Sequence, residues 1–330
     1  MFSKCDAERA SIRRLFLCDA CTILPNIDYF AAENHPMSNI DLIIEERAAD
    51  IGHFLVGRLL PFRQKRMVGP FIFIDHMGPA LLSERDNMDV RPHPHIGLST
   101  LTYLFEGSIM HRDSVGSEME IQPGDVNWMT AGKGIVHSER TPERLRHSDK
   151  SLHGLQIWVA LPQTLEEMEP GFVHIDQSQL PSWSVDGIHY KLIAGTVGNR
   201  QSPVPVYSPL YLLEINATET QSINIGPSLF GESGLYILNG SIESNGNVYT
   251  PKQFLVSKQA SLCSFTITAG SRIYIFGGEP FAEERFIDWN FVSSSKERIE
   301  VAKADWKAQR FPKIPTDAEE FVPYPERKTS

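Results

Sequence analysis

The feature that most limits how this chain can fold is its texture of short apolar runs, cut at near-regular intervals by Gly, Pro, Asn and Asp. A first series covers residues 54–60, 71–74, 98–105, 118–121, 126–130 and 155–161. A second covers residues 190–194, 210–215, 222–225, 234–238, 241–243, 254–257 and 273–277. Short runs rich in β-branched and aromatic residues between turn formers read as strands. A long succession of them predicts a sandwich or barrel, not an alternating α/β sheet. The two series also match in detail. Tyr103-Leu104-Phe105-Glu106-Gly107-Ser108-Ile109 parallels Tyr236-Ile237-Leu238-Asn239-Gly240-Ser241-Ile242, and each leads to a proline-led turn, Pro123-Gly124-Asp125 and Pro251-Lys252-Gln253. One barrel unit used twice accounts for this, with a boundary near residues 166–170, where acidic residues precede a proline.

Only the tail reads as helix. Ser294 followed three residues later by Glu297 has the spacing of a capping box, and Ile299, Ala302 and Trp306 form an apolar stripe ending before Pro312. This helix is expected to pack its stripe on a barrel.

Charge narrows the partners. The 330 residues carry 31 basic and 41 acidic side chains, a net charge of −10, which repels phosphate backbones and anionic membranes. Direct nucleic-acid contact is therefore not expected, while a protein partner stays open. No apolar stretch is long enough for a membrane-spanning helix. Four cysteines, Cys5, Cys18, Cys21 and Cys263, are too few and too lopsided for a disulfide framework and point to a reducing, cytoplasmic setting. Cys18 and Cys21 have C-x-x-C spacing, but a zinc site needs a second pair and only Cys5 and His35 are near. The segment before Met37 lacks the apolar core of an export signal and reads as a poorly ordered extension.

All 11 histidines lie at or before His189, so whatever imidazole does here belongs to the first half. Arg91-Pro92-His93-Pro94-His95-Ile96-Gly97 contains an H-x-H pair, and His137-Ser138-Glu139 an H-x-E pair. In a strand, residues i and i+2 project to one face, so each pair aims both side chains the same way. Two such strands paired across a small barrel can converge three imidazoles and one carboxylate on one metal ion. Pro94 suits an edge or mouth position. His111 and Asp113 read either as groups that orient ligand imidazoles or as polar caps at strand ends. Asn127, Trp128 and Met129 should alternate into and out of the barrel, with Trp128 in the core and one or two of the three lining a pocket. Gly132-Lys133-Gly134 reads as a tight turn that delivers His137.

The order H-x-H, glycine, P-G-D, histidine resembles the two cupin motifs. The fuller string, from His93 through Pro123-Gly124-Asp125-Val126-Asn127-Trp128 to Ile135-Val136-His137-Ser138-Glu139, resembles the pirin family. Arg66-Met67-Val68-Gly69-Pro70-Phe71 and Trp289-Asn290-Phe291-Val292-Ser293-Ser294 fit bacterial pirin-like proteins as well. The resemblance implies an all-β bicupin, two tandem jelly-roll β-barrels with a C-terminal helix. Residues 1–36 would be the extension, 37–167 a metal-binding cupin, 168–290 a metal-free cupin, and 291–330 the helix and tail. By motif the metal ligands would be His93, His95, His137 and Glu139, with Glu139 also the catalytic base. Many cupins take a glutamate from the position of Ser99 instead. The implied cofactor is one divalent transition metal, Fe(II) first, with Mn, Co, Ni and Zn open. The implied activity is a dioxygenase that opens a flavonol such as quercetin with O₂. The alternative is an iron-dependent, redox-sensitive regulator that binds a protein partner without turnover.

Overall fold

The computed structural model describes residues 39–326 apart from 52, 53 and 258. The extension, with Cys5, Cys18, Cys21 and His35, lies outside the described residues.

The first series builds a seven-stranded sheet in the order Gly171–Ile175, Val126–Thr130, Leu98–Glu106, Lys150–Ala160, Phe71–Leu82, Leu55–Leu60 and Arg47–Asp50. A four-stranded sheet, Asp89–His95, Ile135–Arg140, Ile109–Asp113 and Glu118–Ile121, forms the other wall of this barrel. The second series repeats the plan. An eight-stranded sheet runs from Ile40–Glu45 through Gln253–Ser257, Glu232–Asn239, Arg272–Gly278, Leu210–Ala217 and Ile188–Val197 to Ser182–Val185, with the short Arg200–Gln201 off Ile188–Val197. Its smaller partner is Gln221–Asn224, Ser264–Ile267, Ile242–Ser244 and Asn247–Tyr249. The described ladders are antiparallel, and the fold is a bicupin with one C-terminal helix.

The two large sheets pack back to back. Leu101, Tyr103, Trp128, Leu155 and Ile157 of the first meet Leu212, Tyr236, Phe254, Tyr274 and Phe276 of the second in one core. The opposite faces turn inward, each onto its own small sheet, as Leu104 and Met77 do onto Ile109 and Ile121. Leu98–Glu106 is buried on both faces over its first seven residues, with Leu101 and Tyr103 toward the second barrel and Leu104 toward the small sheet. Trp128 lies in the core as expected, its Nε1 donating to Thr130 Oγ1 at 3.1 Å. The interior of the second barrel is filled by Leu235, Ile237, Leu255, Phe265, Ile267 and Ile275.

The barrels exchange edge strands relative to the expected spans. Ile40–Glu45, inside 37–167, pairs with Gln253–Ser257 of the second barrel, and Gly171–Ile175, beyond 167, pairs with Val126–Thr130 of the first. Glu46 marks the first crossing. Its carboxylate takes bonds from Tyr236 at 2.9 Å and the His76 ring at 2.5 Å, and the far side of His76 meets His153 Nε2 at 2.8 Å. Burial first, then the neighbouring His76 and Arg272, lowers the His153 ring to about 4, with Glu46 opposing. Lys252 completes the group on Glu46. An unfolded chain protonates this imidazole near pH 6.5. Between pH ~6.5 and ~4 the unfolded state therefore binds a proton that the folded state refuses. Stability should fall as pH drops through that window. Thermal melts at pH 7.5 and 5 should show a smaller loss for His153→Gln than for the wild type; equal losses would clear His153 of any part in it.

The helix Lys296–Lys307 buries Ile299, Ala302 and Trp306, as the stripe predicts. Its N-cap is Ser295, not Ser294: Ser295 Oγ accepts from Arg298 N and donates to Glu297. Ser294 is unavailable because both its backbone N–H and its hydroxyl are committed to Glu166.

Candidate metal centre

His93 and His95 end the strand Asp89–His95, with their rings on the same side and Pro94 between them. His137 lies directly opposite His93 in the antiparallel pairing with Ile135–Arg140. The register slips between His137 and Glu139, a local bulge of the kind that re-aims side chains beside functional sites. The ring centroids lie 4.3 Å (His93–His137), 5.0 Å (His95–His137) and 5.1 Å (His93–His95) apart. One nitrogen from each ring falls within 4.8 Å of the other two.

The outward nitrogens show which atoms remain. His93 Nδ1 donates to Arg91 O at 2.8 Å and His95 Nδ1 to Asn290 O at 3.2 Å. His137 Nδ1 faces His111 Nδ1 at 3.5 Å, and His111 Nε2 meets Asp113 Oδ2 at 3.0 Å. Asp113 holds a proton on His111 Nε2, so His111 Nδ1 is the acceptor for His137 Nδ1–H. In each ligand ring Nε2 is left as the lone-pair nitrogen. Asp113 Oδ1 also takes the backbone N–H groups of Val115 and Ser117, so the orienting and capping roles weighed for this pair are both present. Burial opposes ionisation of Asp113, yet the His111 and turn bonds outweigh it and hold the carboxyl below its usual range.

His137 Nε2 is buried without a hydrogen-bond partner. An orphaned buried acceptor is costly, and a cation between three convergent lone pairs removes that cost. Burial lowers His93 to about 4 and pushes His95 and His137 well below the usual imidazole range, the neighbouring rings adding to it. All three are thus neutral near pH 7, the form that ligates. The three-histidine site fits one divalent metal ion.

Glu139 lines the same cavity. Burial raises its carboxyl, with His111 and Thr102 opposing. Thr102 reaches Glu139 Oε1 at 3.4 Å and Gln156 Oε1 at 2.9 Å. One hydroxyl proton cannot serve both, and the shorter contact leaves Glu139 weakly held. Ser99 points the other way, donating to Thr130 Oγ1 on the inter-barrel side. Asn127 and Met129 are not among the residues that line the cavity: Asn127 accepts from His174, and Met129 packs in the apolar cluster that includes the wall residues Phe73 and Trp158. Gly132-Lys133-Gly134 is a turn closed by Gly134 N to Ala131 O.

The cavity has a volume of about 390 Å³. Phe73 stacks on Trp158 at 4.0 Å, and Trp158 stands edge-on to His95 at 5.0 Å. Met77, Met88, Val90 and Ile109 give further apolar wall. Arg58 lies over Phe73 and forms two 2.8 Å bonds to Asp75, whose carboxyl burial raises despite the guanidinium. Sequence reasoning missed Arg58, Asp75, Gln156 and Thr102. Only Thr102 had a signal, as an inward position of the alternating strand Leu98–Glu106.

A family model described as pirin matches residues 53–159, and one described as the pirin C-terminal cupin domain matches 212–312. A pirin-like protein of Caulobacter vibrioides is 49% identical over 292 residues, 87% of this chain and 100% of that protein. The chain belongs to the pirin family. Among solved structures, a crystal structure of quercetin 2,3-dioxygenase from Acinetobacter baumannii superposes with a TM-score of 0.79 at 34% identity, covering 88% of this chain and 96% of that one. A bacterial pirin from Escherichia coli, solved in complex with nickel(II), shares the fold at 19% identity and a TM-score of 0.56, over 73% of this chain and 99% of that one. Among the described residues of this pirin, no helix is long and apolar enough to cross a membrane.

Proposed function

We propose that this pirin is a metal-dependent dioxygenase that opens a flavonol such as quercetin with O₂, holding one divalent ion, iron first, on His93, His95, His137 and Glu139. The observation that carries this reading is the partnerless, buried Nε2 of His137, facing two imidazoles oriented the same way. The likeness to the Acinetobacter enzyme supports the substrate class. The donor set suits Fe(II) but also other first-row ions, so geometry and supply decide among them.

The bound ion supplies Lewis acidity that lowers the pKa of a substrate hydroxyl. Glu139, raised by burial and weakly held, takes that hydroxyl proton as general base. Once protonated at Oε1, it can donate back to Thr102 Oγ1, whose own proton rests on Gln156. The Phe73–Trp158 stack offers a flat apolar wall to a planar ring, and Met77 and Met88 help exclude water. At about 390 Å³ the cavity falls in the ordinary range for small-molecule sites.

The test is to purify the protein anaerobically, measure bound metal, and follow flavonol absorbance as O₂ is admitted. Substrate loss in proportion to bound metal, with release of CO, is expected. An unchanged spectrum at full iron occupancy would sink the dioxygenase reading.

A further inference from the structure

The segment Trp289-Asn290-Phe291-Val292-Ser293-Ser294 comes from the far end of the chain, yet it touches the histidine cluster. Phe286–Asp288 and Phe291–Ser293 form a hairpin whose turn is Trp289-Asn290. The carbonyl of Asn290 is the acceptor that fixes His95 Nδ1. Trp289 lies at φ +55°, a left-handed conformation that a bulky aromatic residue rarely adopts and that turns normally assign to Gly or Asn. Its ring lines the cavity and packs on Phe291 and Tyr324. Strained backbone of this kind persists where surrounding structure over-determines it, often at ligand clamps.

Three contacts hold the hairpin on the strand that carries His95. Ile96 bridges Phe291, and Val292 N donates to Ile96 O at 3.2 Å. Gly97 is required for this approach, because a Cβ there would strike the Val292 carbonyl oxygen. On the other side Glu166, itself buried, accepts from Ser294 N at 2.8 Å and Ser293 Oγ at 2.7 Å and pairs with the fully buried Arg285 at 3.1 Å. The sequence marks Glu166 only as one of several acids before Pro170.

We infer that this hairpin is a positioning element of the metal centre: Asn290 sets the tautomer and aim of His95, and Glu166 and Trp289 fix Asn290 in place. The inference rests on the metal-binding reading of His93, His95 and His137. Groups that bond the outer nitrogen of a ligating histidine typically change metal affinity by 10–100-fold when lost.

The test uses Co(II) alone as probe on the full chain, recording affinity, the visible ligand-field spectrum and the melting temperature without metal. Glu166→Gln and Trp289→Gly should each weaken Co(II) at least ~10-fold and shift its visible bands, on the scale expected for a lost outer bond. Glycine accepts the φ of residue 289, so the second variant loosens the turn without new strain. Wild-type affinity and spectrum in both variants would overturn the inference, even if the metal-free melting temperature fell, since that pattern is a purely structural role. His137→Ala run alongside separates the two ideas. If it loses Co(II) while the other two keep it, the positioning role is wrong; if it keeps Co(II) at wild-type affinity, the metal site itself is wrong and this inference falls with it.

Discussion

Replacing His137 by alanine should remove most of the metal-dependent stabilisation of the protein. A ligand that binds only the folded state adds RT ln(1 + [L]/Kd), about 4 kcal/mol at a thousandfold excess over Kd. Three buried, pre-oriented imidazoles bind without first being ordered, so most of their attraction appears as affinity. Removing one of the three should weaken binding on the order of 100-fold or more, beyond the range seen for loss of an outer partner. The metal-free variant should suffer less. It loses packing around one imidazole, but also loses a buried acceptor whose unmet hydrogen bond costs about 1–3 kcal/mol. Melting curves with and without Fe(II), Co(II) or Zn(II) under anaerobic conditions read this directly. A metal-induced rise in melting temperature that survives in His93→Ala/His137→Ala would rule the site out.

Glu139→Gln should separate holding the metal from using it. The amide matches the carboxylate in shape but cannot take a proton near neutral pH. Turnover should therefore fall by about 10²–10⁴-fold, the usual share of a general base. Metal should remain bound when supplied in excess, because three imidazoles are untouched. The carboxyl adds a second signature: turnover should fall on the acid side of the pH–rate profile as Glu139 takes up a proton, and that acid-side fall should be absent in the variant. Full turnover by metal-loaded Glu139→Gln would show that another group takes the proton.

The metal cluster was legible because its geometry is local. H-x-H spacing becomes a shared face as soon as the segment is a strand, and His137 then lies across from His93 by simple antiparallel pairing. Glu139 instead follows a register slip and lines the cavity outside the group of three converging imidazoles. The doubled barrel was legible for a similar reason, since repeated strand–turn texture needs no long-range information. What escaped detection depends on distant parts of the chain. Asn290 acts on His95 through a backbone carbonyl, which leaves no mark in residue type. Arg58 and Asp75 look like ordinary surface charges until the sheet buries one against the other. Asn127 faces inward, as alternation requires, but His174 from the paired edge strand Gly171–Ile175 claims it. The helix cap shifted by one residue because Glu166 had already claimed Ser294.

The edge strand Ile40–Glu45 makes the halves of this chain topologically interlocked. The polypeptide enters through the second barrel, builds the first, returns to complete the second, and comes back to the histidines with Asn290. Cutting near residue 167 would therefore free no module. It would strip each barrel of an edge strand, take a backbone acceptor from the histidine cluster, and bare the Leu101, Tyr103 and Trp128 face to water. A duplicated architecture has become a single cooperative object, in which segments beyond residue 167 complete the barrel and the surroundings of the histidine cluster.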